Sequence, residues 1–325
     1  LLNDTLDEVI SLGFKDYSIP GNEFDASNED GGANIRNWPV FGVYMPDGAD
    51  AYTYNGATYI VTANEGDGRE YLTDADDAGD CTAQGGFDFD DGDCFHYLDE
   101  IRIKDIEDGA ATIDASLASR AGADFDEDEN LGRLKIITDL GLIDASTCAN
   151  LATTGQPDAG CDYEAFYSYG ARSFTIWNAE NGRPVFDSGN QFEVITANRL
   201  PNNFNASNDD NEGDDRSDDK GPEPEAVEIG VIEGRTYAFI GLERVGGIMV
   251  YNITNPESAE FVQYINDRDF SSDDVEADFA TIGDLGPESI KFVSAEDSPT
   301  SNAMLIVGNE VSGTTAFFDV QIVTQ

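Results

Sequence analysis

Apolar and polar positions alternate along much of this chain in runs of about six residues, the period and length of β-strands. The clearest set lies between Gly221 and Ile253. Ala226–Val231, Thr236–Leu242 and Ile248–Ile253 are rich in β-branched and aromatic residues, and Glu233-Gly234 and Gly246-Gly247 supply turns between them. This pattern predicts an antiparallel meander of three strands. Glu225 stands just before the first strand and Glu243 just after the second. A meander puts those two positions at one end of the sheet, so the two acids can meet there.

The pattern recurs. From Pro287 the chain reads P-E-S-I-K-F-V, then a longer turn over Ser294–Asn302, then A-M-L-I-V-G-N-E-V-S-G-T-T-A-F-F-D-V. Pro287-Glu288 matches Pro224-Glu225, and Glu310 matches Glu243. A weaker copy lies earlier: Ala51–Tyr54, a turn at Asn55-Gly56, then Thr58–Ala63 running into Asn64-Glu65-Gly66-Asp67. A repeat of roughly 40 residues with several strands per copy is the mark of a β-propeller blade. The expected fold is therefore all-β, a β-propeller with about four blades in this chain. Residues 1–325 form one such domain or its C-terminal portion, and a larger ring with further blades is equally compatible. In a propeller the ends of the inner strands converge on one mouth of the channel. Glu65, Glu225, Glu243, Glu288 and Glu310 would then form a ring. The plainer reading is that Pro-Glu and Asn-Glu are turn chemistry alone.

Between the copies lie polar, acidic stretches, read as insertions over 67–95, 107–132, 141–162, 202–220 and 266–284. Asp7–Leu12, His96–Ile106 and Leu134–Leu140 read as strands. Tyr163–Tyr169 and Arg172–Trp177 read as a strand pair around Gly170. Phe192–Pro201 and the start of Ala110–Asp128 read as helical. The loop Gly21–Pro39 is too rich in Asn, Asp and Gly for regular structure, and it sets Arg36 near Trp38.

Charge narrows the function. Sixty-six acids against 17 Lys and Arg give a formal net charge of −49. That excludes nucleic acid and anionic membrane surfaces as partners and favours cations, a saline habitat, or both. No apolar run is long enough to insert in a membrane, and no signal peptide is visible. The start at Leu1 without Met suggests a processed or partial protein. Four cysteines fall in two equally spaced pairs, Cys81 with Cys94 and Cys148 with Cys161, which fits two local disulfides in an exported protein. A zinc site from all four is the alternative, but no C-x-x-C spacing is present. Asn3, Asn205 and Asn252 head glycosylation sequons.

A single histidine, His96, leaves no room for a His-dependent triad or a multi-His metal site, and it reads as an ordinary strand residue. No phosphate-binding glycine loop occurs. Carboxylates, amides and carbonyls remain, hard oxygen donors suited to Ca²⁺, with another divalent or trivalent metal as alternative. The expected ligands at the mouth are Glu65, Asp67, Glu223, Glu225, Glu243, Glu288 and Glu310. Asn208, Asp210, Glu212, Gly213 and Asp219 also follow a degenerate calcium-loop spacing. Weaker candidates are the runs Asp74–Asp80, Asp88–Asp93 and Asp124–Asp128. Arginines stand beside several acidic motifs: Arg36, Arg69, Arg172, Arg216 and Arg244. Facing a metal, they would clamp an anion such as a phosphate ester. Otherwise they are structural ion pairs between blades.

Long motifs add a resemblance. G-F-K-D-Y-S-I-P-G-N, D-G-G-A-N-I-R-N-W-P-V, T-A-N-E-G-D-G-R-E-Y, G-A-R-S-F-T-I-W, R-S-D-D-K-G-P-E-P-E, A-F-I-G-L-E-R-V-G-G-I-M-V-Y and N-E-V-S-G-T closely resemble the bacterial choice-of-anchor I family. That family is in turn similar to mesenchyme-specific cell-surface glycoproteins of biomineralising animals. The resemblance spans nearly the whole chain. It implies an exported propeller, anchored at the cell surface or released, with about three further blades before G-F-K-D and so a seven-bladed ring. Some members are labelled alkaline phosphatase-like. Two readings of function follow. One is a metal-dependent phosphoesterase at the channel mouth, with Glu65, Arg69, Arg172, Glu243 and Arg244 as its catalytic group. The other is a non-catalytic calcium-binding protein of the matrix, of adhesion or of a mineral surface. Expected partners are divalent cations, phosphate esters, and further blades or copies of the same protein in an extracellular assembly.

Overall fold

The alternating runs become strands, and the surrounding turns set their order. A computed structural model describes residues 9–272 and 274–322, an all-β arrangement with a few short helices. It opens with β1 (Phe14–Asp16), β2 (Val40–Val43), β3 (Ala49–Tyr54) and β4 (Ala57–Asn64). An insertion follows, with β5 (Glu70–Asp74), α1 (Ala78–Gln84), β6 (Asp88–Asp90), β7 (Asp93–Leu98), β8 (Glu100–Arg102), β9 (Thr112–Ile113), α2 (Ala115–Ala121), β10 (Lys135–Ile137) and β11 (Asp162–Tyr163). β12 (Phe166–Tyr169), β13 (Ser173–Asn178), β14 (Arg183–Asp187) and α3 (Gln191–Arg199) come next. Then follow β15 (Pro224–Ile232), β16 (Arg235–Leu242), β17 (Ile248–Asn252), β18 (Glu260–Ile265), the one-turn α4 (Val275–Asp278), β19 (Pro287–Val293), β20 (Ala303–Asn309) and β21 (Thr314–Val320). Among the described residues no helix is long and apolar enough to cross a membrane.

Three antiparallel sheets carry the repeat, in the orders β3-β4-β13-β14, β15-β16-β17-β18 and β19-β20-β21. Their registers agree. Pro224 lies opposite Leu242 and Pro287 opposite Asn309, and a bulge follows each proline. The Glu243 N–H donates to the Glu223 carbonyl at 2.8 Å, and the Glu310 N–H donates to the Gly286 carbonyl at 2.8 Å. The bulges fall at Glu225 and Glu288, and a bulge re-aims the side chain it carries. The first strands of neighbouring sheets touch. Gly48 N–H donates to the Glu225 carbonyl at 2.9 Å, and Phe292 N–H donates to the Glu228 carboxylate at 2.9 Å. Apolar faces fill the space between sheets. Val61, Phe174, Ile176, Phe192, Ile240, Met249 and Tyr251 form one core, and Phe239, Val250, Ile290, Leu305 and Val307 another. Cutting Ile240, fully buried, to Ala would cost about 2–5 kcal/mol.

The chain departs from the expected layout in several places. β12 and β13 do not pair with each other. β12 runs parallel to β2, and β13 lies between β4 and β14. Gly170 explains the turn: at φ +67° it passes so close over the Glu65 carbonyl that a Cβ would stand 1.9 Å from the oxygen. The stretches around Val40–Gly66 and Tyr163–Phe186 therefore contribute jointly to two sheets, β1-β2-β12 and β3-β4-β13-β14, and among the described residues three sheets share the repeated register. Residues 65–172 enter between β4 and β13. Within this range the expected insertions 107–132 and 141–162 pack together, while 67–95 holds α1 and most of the sheet β5-β7-β6. Ile103, Ile106, Leu117, Leu131, Leu134, Ile136, Tyr163 and Phe166 pack with Tyr17, Phe24, Trp38 and Val40 into a core of their own. Asp and Gly dominate these stretches and hid the apolar residues spaced among them. Residues 202–220 are likewise not a surface loop: Phe204–Asn208 and Ser217–Lys220 are buried. Of the strand expected at Asp7–Leu12, residues 7 and 8 lie outside the described range, and Val9–Leu12 is not strand. His96–Ile106 splits into β7, β8 and a 3₁₀ turn. Both expected disulfides are present, Cys81–Cys94 and Cys148–Cys161.

Candidate metal centre

The shared register brings the repeated acids to one edge of the sheets. Glu65 follows β4, Glu243 follows β16, and Glu310 follows β20. Glu225 and Glu288 are the second residues of β15 and β19. Glu223 precedes β15 with φ +47°, a left-handed conformation that a non-glycine residue seldom adopts. Two groups result. Carboxylate oxygens of Asp47, Glu65 and Glu225 lie within 4.8 Å of one another, and so do those of Glu65, Glu223 and Glu243. Asp47 and Glu288, both exposed, add to the negative charge around the Glu225 carboxyl. Glu310 is exposed and joins neither group. Among the described residues no lysine or arginine pairs with Glu310, and the segment before β19 packs Ile282 and Leu285 near Val311 instead.

Charge is balanced on only one side of this centre. Glu223 is wholly buried and accepts from three cations: Arg216 at 2.9 Å, Lys220 at 3.1 Å and Arg244 at 3.3 Å. Lys220 also reaches Glu65 at 3.1 Å, and Arg244 reaches Glu243 at 3.2 Å. Three cations thus face six carboxyls: Asp47, Glu65, Glu223, Glu225, Glu243 and Glu288. Glu225 Oε2 is buried and has no hydrogen-bond partner. Burial, then Glu288, Glu243 and Glu65, raise the Glu225 carboxyl far above the usual range. Burial, then Glu223, push Glu243 up to about 7. Burial raises Glu65 against the pull of Lys220, and burial with Glu288 raises Asp47. Like charges this close repel by about 4 kcal/mol per pair at an effective dielectric of 20. The centre must hold protons or a cation, and an all-oxygen donor set suits Ca²⁺ or Mg²⁺.

Of the other expected site residues, Arg244 lies in this centre, Asp67 stands beside its Lys220, and most of the rest stand elsewhere. Asp67 is 85% exposed and 3.7 Å from Lys220. Arg69 pairs with Asp99 at 2.6 Å and Asp139 at 3.1 Å. Arg172 is buried and donates to the carbonyls of Asp25, Ser217 and Asp219 and to Glu193. Arg244 divides itself among Glu223, Glu243 and the Asn208 amide oxygen. Each arginine assigned to an anion clamp is thus engaged by the protein itself, as in the plainer reading of them as ion pairs. Arg36 lies over the Trp38 ring, 3.8 Å from its centroid. The calcium-loop spacing does not close into a cage. Asn208 faces Arg244, and Asp219 pairs with Lys135 at 3.1 Å and Arg216 at 2.8 Å. Asp210 and Glu212 are exposed. Spacing alone cannot register that cations already occupy those positions. The runs Asp74–Asp80 and Asp124–Asp128 do local work: Asp77 caps α1, and Asp128 binds Lys104 at 2.7 Å. Asp88 and Asp90 belong to the edge strand β6. His96 meets the Thr73 hydroxyl at 2.9 Å inside a sheet.

Three features were missed. Asp47 follows Pro46 two residues ahead of β3, the place that Glu225 and Glu288 hold after Pro224 and Pro287 in the other copies, so the repeat alignment contains the signal. Lys220 appears within R-S-D-D-K-G-P-E-P-E, but nothing local shows that it bridges Glu65 and Glu223. A further group, Asp25, Asp30 and Asp214, brings its oxygens within 4.8 Å at some remove in sequence. Burial, then Glu193, push Asp25 up to about 8, and burial pushes Asp214 up to about 6.

Comparison with known proteins agrees with the extracellular reading of the sequence. The family model described as the choice-of-anchor I domain matches residues 1–256. Gigasin-3a of Magallana gigas is 29% identical over 167 residues, which covers 49% of this chain and 59% of that protein. The chain therefore spans well under two thirds of that relative's length. No solved structure matches.

Proposed function

The chain belongs to the choice-of-anchor I domain family, and from that premise we propose that it is a β-propeller whose mouth binds a divalent cation, calcium first, through Asp47, Glu65 and Glu225. The family and the two disulfides point to an extracellular or cell-surface protein. Support for the propeller comes from three successive antiparallel sheets whose first strands lie side by side and whose registers repeat. One observation carries the cation reading: Glu225 Oε2 is a buried carboxylate oxygen, without a partner, inside a group of three acids. An unpaired buried charge costs several kcal/mol. A calcium ion takes six to eight oxygens and removes that cost. Glu223, with Arg216, Lys220 and Arg244 around it, forms the fixed wall of the site. Lys220 holds one Glu65 oxygen and leaves the other for a ligand.

We favour a non-catalytic role, in which the loaded mouth serves extracellular assembly or adhesion. The reason is that Arg69, Arg172 and Arg244 are each held in ion pairs by the protein's own carboxylates. The phosphoesterase reading keeps one supporting observation. Glu243, at about 7, lies where a general acid–base works best at neutral pH. Turnover of p-nitrophenyl phosphate and of its diester, with calcium, magnesium or zinc, separates the two. The expected result is no turnover above that of Glu243→Gln. Metal-dependent turnover that disappears in Glu243→Gln would establish the enzyme.

A further inference from the structure

We propose a second cation site, apart from the mouth, in which Asp25, Asp30 and Asp214 hold a calcium ion that ties residues 25–34 to the segment 204–217. Oxygens of the three acids lie within 4.8 Å of one another. Both oxygens of Asp25 accept, Oδ1 from Ser27 N–H and Oδ2 from Asn34 N–H, whereas only one oxygen of each other acid is accounted for: Asp30 Oδ2 accepts from the Asn34 amide at 2.7 Å and Asp214 Oδ1 from the Ser217 hydroxyl at 2.6 Å. Asp30 Oδ1 and Asp214 Oδ2 are buried and have no partner. Asp214 is 6% exposed, so its free oxygen cannot turn to bulk water for compensation.

Neighbouring chemistry points the same way. Among the described residues no lysine or arginine forms an ion pair with any of the three acids; at the mouth, by contrast, Glu223 has three. Asn205 is fully buried, donates to Ser217, which in turn donates to Asp214, and keeps its own Oδ1 unpartnered. An open cavity of about 270 Å³, lined by Asn28, Gly32, Asn202, Phe204 and Asp214, adjoins the group. It gives an ion a path from solvent and room for the waters that complete its shell. Carboxylates, an amide oxygen and waters in irregular array suit Ca²⁺, which accepts six to eight oxygens in flexible geometry; Mg²⁺ demands a near-ideal octahedron.

The bond such an ion makes would be long-range in sequence. Residues 25–34 lie before the whole repeat, and 204–217 lie just before the mouth segment. Arg172 already joins the same two stretches through the carbonyls of Asp25 and Ser217. The ion would close the side of that junction that Arg172 leaves open. This site stands independently of the mouth, since the two share no residue.

The test is hydrogen exchange on the full chain in calcium, in magnesium, and in chelator with NaCl of matched ionic strength. Calcium should slow exchange of the amides of residues 25–34 and 204–217 at least tenfold, magnesium much less. Glu225→Gln, which alters the mouth, should keep that protection. Asp214→Asn should lose it, together with one equivalent of calcium retained through desalting. Equal exchange of the wild-type segments in calcium and in chelator would overturn the proposal, whatever the variants do. So would protection by calcium that persists in Asp214→Asn.

Discussion

Arg172 offers the sharpest test of how segments distant in sequence are held together. It is 2% exposed, sits at φ +52°, and donates at 2.7 Å to the Asp25 carbonyl, 2.8 Å to Glu193, 2.8 Å to the Ser217 carbonyl and 2.7 Å to the Asp219 carbonyl. Its guanidinium also lies over the Phe24 ring, 4.6 Å from the centroid. Arg172→Met keeps much of the volume and removes every donor. Glu193, buried on α3, is then left with no ion-pair partner, and three carbonyls lose theirs. Breaking a buried pair from one side costs about 3–5 kcal/mol. At about 2.1 cal/mol/K per residue, unfolding a chain of this length carries roughly 0.7 kcal/mol/K, so the melting temperature should fall by about 4–7 °C. Arg172→Lys restores the charge but not the planar fork and should recover only part of the loss. Differential scanning calorimetry measures all three proteins. The double variant Arg172→Met/Glu193→Leu, which removes both charges, should be more stable than Arg172→Met alone. A melting temperature for Arg172→Met within a degree of wild type would refute the assignment of Arg172 as a buried strut.

Other perturbations follow from the same electrostatics. Millimolar calcium should raise the melting temperature over NaCl of matched ionic strength, since a ligand at a hundred times its Kd adds about 2.7 kcal/mol, or about 4 °C for this chain; identical curves would count against both cation sites. In chelator, stability should fall as pH rises from about 5 to about 8. Burial raises Glu243, Asp214 and Asp25 to about 7, 6 and 8, so their contribution is full below the unfolded carboxylate pKa and is lost as pH rises through the folded values. Saturating calcium should flatten that slope, and a slope unchanged by calcium would mean that the metal does not meet these carboxyls. Cys81→Ala/Cys94→Ala should loosen the region of α1 and β7 by about 3 kcal/mol on a chain-entropy account, read as faster proteolysis within residues 75–95 with the repeat sheets intact.

The parts legible in the sequence are those set by neighbours along the chain. Alternation located β15, β16, β19 and β20, and the Pro-Glu pairs marked the bulges that re-aim Glu225 and Glu288. The two cysteine pairs close short loops and needed only their spacing. What stayed hidden depends on partners distant in sequence. β13 joins β4 across residues 65–172, and nothing in either strand names the other. Arg69, Arg172 and Arg244 looked available because only the folded chain shows Asp99, Glu193 and Glu223 taking their hydrogen bonds. Asp219 fitted a calcium-loop position, yet Lys135, from the inserted lobe, supplies its counter-charge. Glu310 matched Glu243 in register, down to the same backbone hydrogen bond, but register does not bring an acid into a cluster without the cations that draw Glu223 and Glu243 in.

The claim that most needs direct measurement is that the mouth carboxyls hold a cation. A crystal structure of the chain grown in millimolar calcium, with an anomalous difference map, reads this out atom by atom. The account predicts an anomalous peak bonded to Glu65, Glu225 and Asp47 at about 2.3–2.6 Å, absent in Glu225→Gln. A mouth without a peak, in which Glu225 and Glu288 share a proton across a short hydrogen bond, would contradict it.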